Sequence, residues 1–145
     1  MNKFLYPAVL LLFSIVASHT CTAQSYISPQ VGYGSKTFIV NISAGADFNW
    51  CTAEAELKFG TSHKANTPAF MGAGAGPFIR ISDCASITVL AQAYYMYVSA
   101  DYKYKNGFRA GACLRLQYKK ITIAGSYVNH QWFAAAGVKM YLRIS

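Results

Sequence analysis

An all-β chain that closes as an eight-stranded antiparallel up-and-down transmembrane β-barrel is the fold this sequence predicts. Three observations predict it. Apolar and polar residues alternate at period two from about residue 27 to the end. The apolar set is rich in alanine, while the polar set mixes glycine with very large side chains. Large aromatics collect toward the strand ends. No stretch repeats at i, i+3, i+4, i+7 for long, so helices are not indicated. No segment after residue 24 is an apolar run of helix-spanning length. Contact with lipid would have to be made by strands.

The first segment, 1–23, reads as a signal peptide rather than as part of the fold. MNKF supplies a positive start through Lys3, and PAVLLLFSIVA is an apolar core too short to cross a bilayer as a helix. Cys21-Thr22-Ala23 places small residues at the −3 and −1 positions for cleavage before Gln24. An acylated Cys21 is the other option, but Ser18-His19-Thr20 lacks the usual lipoprotein pattern. The barrel is then 24–145, with twelve basic residues against five acidic ones. Charged residues are 12% of the chain, about half the usual share.

Eight alternating segments follow. Ile27, Val31 and Tyr33 mark the first and weakest. Phe38, Val40, Ile42, Ala44, Ala46 and Phe48 alternate with Asn41, Ser43, Gly45 and Asp47. Ala53, Ala55, Leu57 and Phe59 alternate with Thr52, Glu54, Glu56 and Lys58. Met71, Ala73, Ala75, Ile79 and Ile81 alternate with Phe70, Gly72, Gly74, Gly76, Phe78 and Arg80. Val89 through Tyr97 repeats the pattern with more noise. Phe108 to Tyr118 places Arg109, Cys113, Arg115 and Gln117 opposite its apolar residues. Ile121 to Tyr127 and Trp132 to Ile144 complete the set. With Asn49-Trp50, Lys119-Lys120 and Asn129-His130 as two-residue turns, every facing pair joins apolar to apolar. A one-residue slip would destroy that agreement. Turns at 49–50, 82–86 and 119–120 lie at the end shared with both termini, and longer loops near 60–69 and 99–107 lie at the other.

Alternation leaves open which face is inside. A soluble lipocalin- or avidin-like barrel would turn its apolar face inward, around an apolar small ligand. Alanine at 44, 46, 53, 55, 73, 75, 91, 93, 110, 112, 134 and 136 would then fill a core poorly. Against lipid the same residues leave no cavity. Glycines 72, 74, 76, 111 and 137 in phase with large residues suit a narrow lumen. Tyr33, Phe38, Phe59, Tyr97, Tyr127 and Trp132 at one rim, and Phe48, Tyr118 and Trp50 at the other, suit two interfacial girdles.

With its export signal, eight strands and a last strand reading AAGVKMYLRIS, the chain resembles the small outer-membrane barrels of Gram-negative bacteria, of the OmpX or OmpA-transmembrane-domain type. Gly137, Met140 and Leu142 resemble that family's assembly signal. Ala135 stands where a polar residue is usual, and Ile144-Ser145 replaces the terminal aromatic. The resemblance implies outer-membrane localisation. It also implies contact with outer-membrane lipid, lipopolysaccharide and the barrel-insertion machinery.

The chemistry expected of such a chain is modest. Glu54, Glu56, Lys58, Arg80, Arg109, Arg115, Lys139 and Arg143 would project into the lumen as a structural polar network. Acids are outnumbered there, which also allows a narrow anion-preferring path. Lys119 falls in the same phase. Cys51 and Cys84 share the turn-end rim and could form a disulfide in an oxidising compartment. Cys113 reads as a small buried residue. No metal-ligand spacing and no cofactor motif is present. Ser126 and His130 are the best hydrolytic pair, but positions i and i+4 of a strand lie roughly 13 Å apart. Lys36, His63, Lys64, Lys103 and Lys105, against Asp101, make the long loops basic and suited to lipopolysaccharide phosphates. Nucleic acid is disfavoured, because the strand arginines would be inside. The expected function is a non-enzymatic envelope barrel, structural or surface-interacting. A soluble ligand-binding barrel and a component of a secretion or conjugation assembly are the alternatives.

Overall fold

Each alternating segment of the sequence becomes a strand. The computed structural model describes residues 23–34, 37–61, 69–97 and 106–142. The predicted signal peptide, both predicted long loops and Arg143 lie largely or wholly outside those residues. The strands are β1 (Gln24–Gly34), β2 (Thr37–Asp47), β3 (Cys51–Thr61), β4 (Ala69–Ser82), β5 (Ala85–Tyr97), β6 (Gly107–Tyr118), β7 (Ile121–Val128), β8 (Gln131–Val138) and β9 (Met140–Tyr141). All pairings are antiparallel between sequence neighbours, and β1 also pairs with β8 and β9. The sheet therefore closes on itself and has no open edge along its body. β8 and β9 continue one register against β1, from Gln30↔Gly137 to Ile27↔Met140, so together they are the eighth barrel strand. The interruption at Lys139 falls opposite Ser28-Pro29, and Pro29 has no N–H to give the ladder.

Hairpin registers follow the hydrophobic phase. Ala46 faces Ala53, Ile42 faces Leu57, Tyr118 faces Ile121, Leu116 faces Ile123 and Tyr127 faces Trp132. Asn129 (φ 50°) and His130 (φ 61°) are both left-handed, the backbone a two-residue hairpin turn needs. Lys119 (φ 53°) belongs to the β6–β7 turn and is exposed there, not turned into the lumen as its phase suggested.

The apolar face is outside. Phe108 is 80% exposed and Trp132 70%, while Arg115 is 1% exposed and Lys139 fully covered. Outward alanines align across five adjacent strands: Ala44↔Ala55↔Ala73↔Ala93↔Ala110 and Ala46↔Ala53↔Ala75↔Ala91↔Ala112. Above this smooth waist lie edge-on aromatic pairs, Tyr33–Phe38 and Tyr95–Phe108, each with centroids 5.3 Å apart. Trp50 and Tyr118 are exposed at the turn end.

Inside, the glycines make room for specific neighbours. A Cβ on Gly72 would lie 2.4 Å from both the Ala93 carbonyl oxygen and Tyr94 Cδ1, and one on Gly111 would lie 3.0 Å from Tyr94 Cε2. The Tyr94 ring thus lies between two side-chain-free patches of wall. From Gly72 to Gly76, β4 reads GAGAG and carries nothing larger than a methyl on either face. Two neighbouring substitutions should separate the faces. Ala73→Leu on the exposed side should change the unfolding free energy in lipid vesicles by less than about 0.5 kcal/mol. Gly72→Leu, driven into Tyr94, should cost about 3 kcal/mol. Urea titration followed by heat-modifiable mobility measures both.

Candidate functional site

The polar interior is the one place where chemistry-bearing residues converge among the described residues. Period two on β2, β3, β5 and β6 sends Asn41, Ser43, Asp47, Glu54, Glu56, Lys58, Gln92, Tyr94 and Arg115 to the same side of the wall, and all are buried. Closure of the sheet then brings strands far apart in sequence across from one another.

Three ion pairs run along the barrel. At the turn end, Lys139 Nζ reaches Asp47 Oδ2 at 2.5 Å. Asp47 also accepts from Thr52 Oγ1 at 2.8 Å and from the Tyr141 hydroxyl at 2.9 Å. The Lys139 ammonium sits 3.8 Å from the Tyr26 ring centroid, a cation–π contact in a desolvated place. In the middle, Arg115 on β6 meets Glu54 on β3 through two bonds, Nη1 to Oε2 at 2.7 Å and Nη2 to Oε1 at 2.9 Å. The Tyr26 hydroxyl donates to the same carboxylate at 2.6 Å. Nearer the other end, Glu56 accepts from Asn41 Nδ2 at 2.5 Å, Gln92 Nε2 at 2.8 Å, Lys58 Nζ at 3.1 Å and the Tyr94 hydroxyl. Lys58 also donates to the Tyr94 hydroxyl at 2.7 Å.

Beyond Glu56 the interior turns apolar. Ile39, Phe70, Met96, Val128, Phe133 and Ala135 pack together over Tyr94, with Phe70 edge-on to both Tyr94 and Phe133. These residues sit toward the loop ends of β2, β4, β5, β7 and β8.

The sequence-predicted residues divide accordingly. Glu54, Glu56, Lys58, Arg115 and Lys139 are buried together in pairs. Arg80 departs from the expectation and is exposed. The stagger explains this: β3 ends its pairing at Cys51↔Pro77, so β4 runs on past the rim. Arg109 is half-buried near the loop end and donates to the Phe108 carbonyl at 2.8 Å. The fully buried charges among the described residues balance, Asp47, Glu54 and Glu56 against Lys58, Arg115 and Lys139. No surplus of fully buried cation is present among the described residues.

No disulfide joins Cys51 to Cys84. Cys51 faces Pro77, whereas Cys84 lies on the far side of the protruding β4–β5 hairpin, with its carbonyl accepting from Lys119 N. Cys113 is buried beside Leu90 and Ala124. Ser126 points inward and is buried, while His130 is exposed at a turn, 3.2 Å from the Tyr127 hydroxyl. The two are not brought together. Gly137 lies against the Pro29 carbonyl, and Met140 and Leu142 are exposed on the outer wall.

Sequence reasoning missed Asp47, Tyr26 and Tyr94. Asp47 shares the phase of Asn41 and Ser43, a signal that was available. Phase turns Tyr94 inward, but nothing local marks the partner of either tyrosine, which lies on another strand. The arrangement can neutralise and immobilise charge in a narrow lumen. Breaking it should be costly. Arg115→Met strands Glu54 and should lose about 3–5 kcal/mol in vesicle unfolding, whereas Arg115→Met with Glu54→Leu should recover most of that.

No protein-family model matches the chain, and no curated protein sequence matches it. Its architecture does have solved counterparts. The crystal structure of Neisserial surface protein A is similar at a TM-score of 0.56 and 16% identity, over 83% of this chain and 96% of that one. A de novo designed transmembrane β-barrel is similar at a TM-score of 0.52 and 17% identity, over 82% and 95%. Likeness at these identities concerns the backbone, and with the apolar face outermost it leaves one conclusion: the chain has the fold of the small eight-stranded transmembrane β-barrels.

Proposed function

We propose that this chain is a non-enzymatic protein of the Gram-negative outer membrane, exported by residues 1–23, whose lumen is plugged and whose role is structural or surface-interacting. The observation that carries the reading is the inverted polarity of the wall. Large apolar side chains such as Val31, Phe38, Met71 and Trp132 are exposed, while six charged residues are buried. In water that arrangement would expose an apolar belt around the whole molecule; in a bilayer it is the stable one. A soluble barrel around an apolar ligand needs the reverse.

The plugged lumen rests on the ion pairs and on the apolar cluster of Phe70, Met96 and Phe133 behind them. The absence of catalysis rests on the separation of Ser126 from His130 and on the engagement of each buried acid in an ion pair. Outward partners follow from charge: the basic segments holding Lys36, Lys64, Lys103 and Lys105 suit lipopolysaccharide phosphates. Gly137, Met140 and Leu142 are the residues the insertion machinery would read.

Fractionation of the native host tests the location. The protein should stay with outer membranes through salt and carbonate washes, leave them only in detergent, and shift in gel mobility on heating. Release by sonication alone would overturn the reading. In planar bilayers the purified protein should show no discrete channel events.

A further inference from the structure

Among the described residues the buried charges cancel, three acids against three cations. Of the other described charges, Arg80, Lys119 and Lys120 are exposed against the acid Asp83, which leaves a cationic surplus. Part of that surplus is fixed at the turn end. Lys119 and Lys120 form the β6–β7 turn, and both are exposed. Their backbone is held from two sides: Lys119 N donates to the Cys84 carbonyl at 2.6 Å, and the Lys120 carbonyl accepts from Lys139 N at 2.7 Å. The Gln117 side chain donates to the Lys119 carbonyl at 2.8 Å. Arg80, exposed at the mouth two strands away, adds to the same field, and Asp83 is the single described exposed acid at this end.

What adjoins these lysines decides their partner. Directly above them on the outer wall, Tyr118, Ile121, Leu116 and Ile123 are exposed and paired in register. The Lys119 ammonium lies 5.7 Å from the Tyr118 ring centroid, which draws it toward the outer wall rather than the lumen. An apolar strip leading into two cations carried on a braced turn matches a molecule with an acyl chain at one end and an anion at the other. Resting on the membrane reading above, we propose that the β6–β7 turn is a binding site for an anionic phospholipid of the adjacent leaflet. Its phosphate lies between the Lys119 and Lys120 ammonium groups, and its chain runs along Tyr118 and Ile121. A soluble acidic peptide would satisfy the lysines but leave the apolar strip unused.

The full chain without its leader, folded into vesicles of equimolar phosphatidylcholine and phosphatidylglycerol, provides the test. Spin-labelled forms of each lipid report how much of each is held at the protein surface. The wild type should hold phosphatidylglycerol about fivefold more strongly than phosphatidylcholine, and the preference should fall at high salt. Lys119→Asn with Lys120→Gln keeps a turn-compatible residue at the left-handed position and should bring the two lipids to within a factor of about two. Equal retention of both lipids by the wild type overturns the proposal, as does a preference unchanged in the double variant while the heat-modifiable fold is intact. Displacement of the labelled lipid by a soluble oligoglutamate assigns the lysines to a protein partner and likewise overturns it. Failure to insert into either neutral or mixed vesicles would instead overturn the membrane reading itself, a separate readout from lipid preference.

Discussion

The fork between Arg115 and Glu54 is the interaction on which the rest of this molecule turns. It spans the lumen from β6 to β3 with both carboxylate oxygens engaged at 2.7 and 2.9 Å, and both residues are buried. A guanidinium in that position has no water to fall back on, so the partner must be present and correctly placed. Each requirement reaches outward. The carboxylate must point in, which sets the phase of β3. The two strands must lie across from one another, which needs a closed sheet of this size. Tyr26 must supply the third bond to Glu54, which anchors β1 beside the pair.

The same logic bears on why the largest apolar cluster lies toward the loop end, with only Phe78 and the small Leu90–Cys113–Ala124 group among the described charges. Three acids are satisfied by three cations, with tyrosines and amides filling the remaining lone pairs. Had those groups been interleaved with Phe70 and Phe133, several donors would lack partners. Keeping the charges apart from that cluster lets each acid collect its own donors, while the aromatic cluster packs as an ordinary core does. The exterior needs no such sorting, and alanine against alanine in register keeps the wall flat at the waist.

Much of this could be read from the amino acids in order. Side-chain phase is a local property, so the inward residues of β3 and the outward residues of β6 were legible one strand at a time. Short turns made the registers of β2–β3, β6–β7 and β7–β8 legible too, because a slip would have turned Leu116 or Tyr127 against a polar neighbour. What could not be read was who stands opposite whom across the lumen. Phase says that Tyr94 faces in; it does not say that Glu56, thirty-eight residues earlier, waits for its hydroxyl. Phase also misled at Arg80, where facing inward on a strand that overruns its neighbour means facing water.

The bare wall of β4 carries a last implication. At Gly72-Ala73-Gly74-Ala75-Gly76 the barrel is little thicker than a peptide chain, and Gln92 and Tyr94, which hold Glu56, lie directly behind it. On that side Glu56 is therefore screened from the exterior medium by the amides of β4, two alanine methyls and the Gln92 and Tyr94 side chains that bond it. Its effective dielectric is set from two directions, by the dry interior and by whatever bathes the outer face. A carboxylate so placed feels its neighbours with little attenuation. That makes four donors around one acid less an excess of bonding than the minimum that keeps a negative charge stable behind so thin a screen.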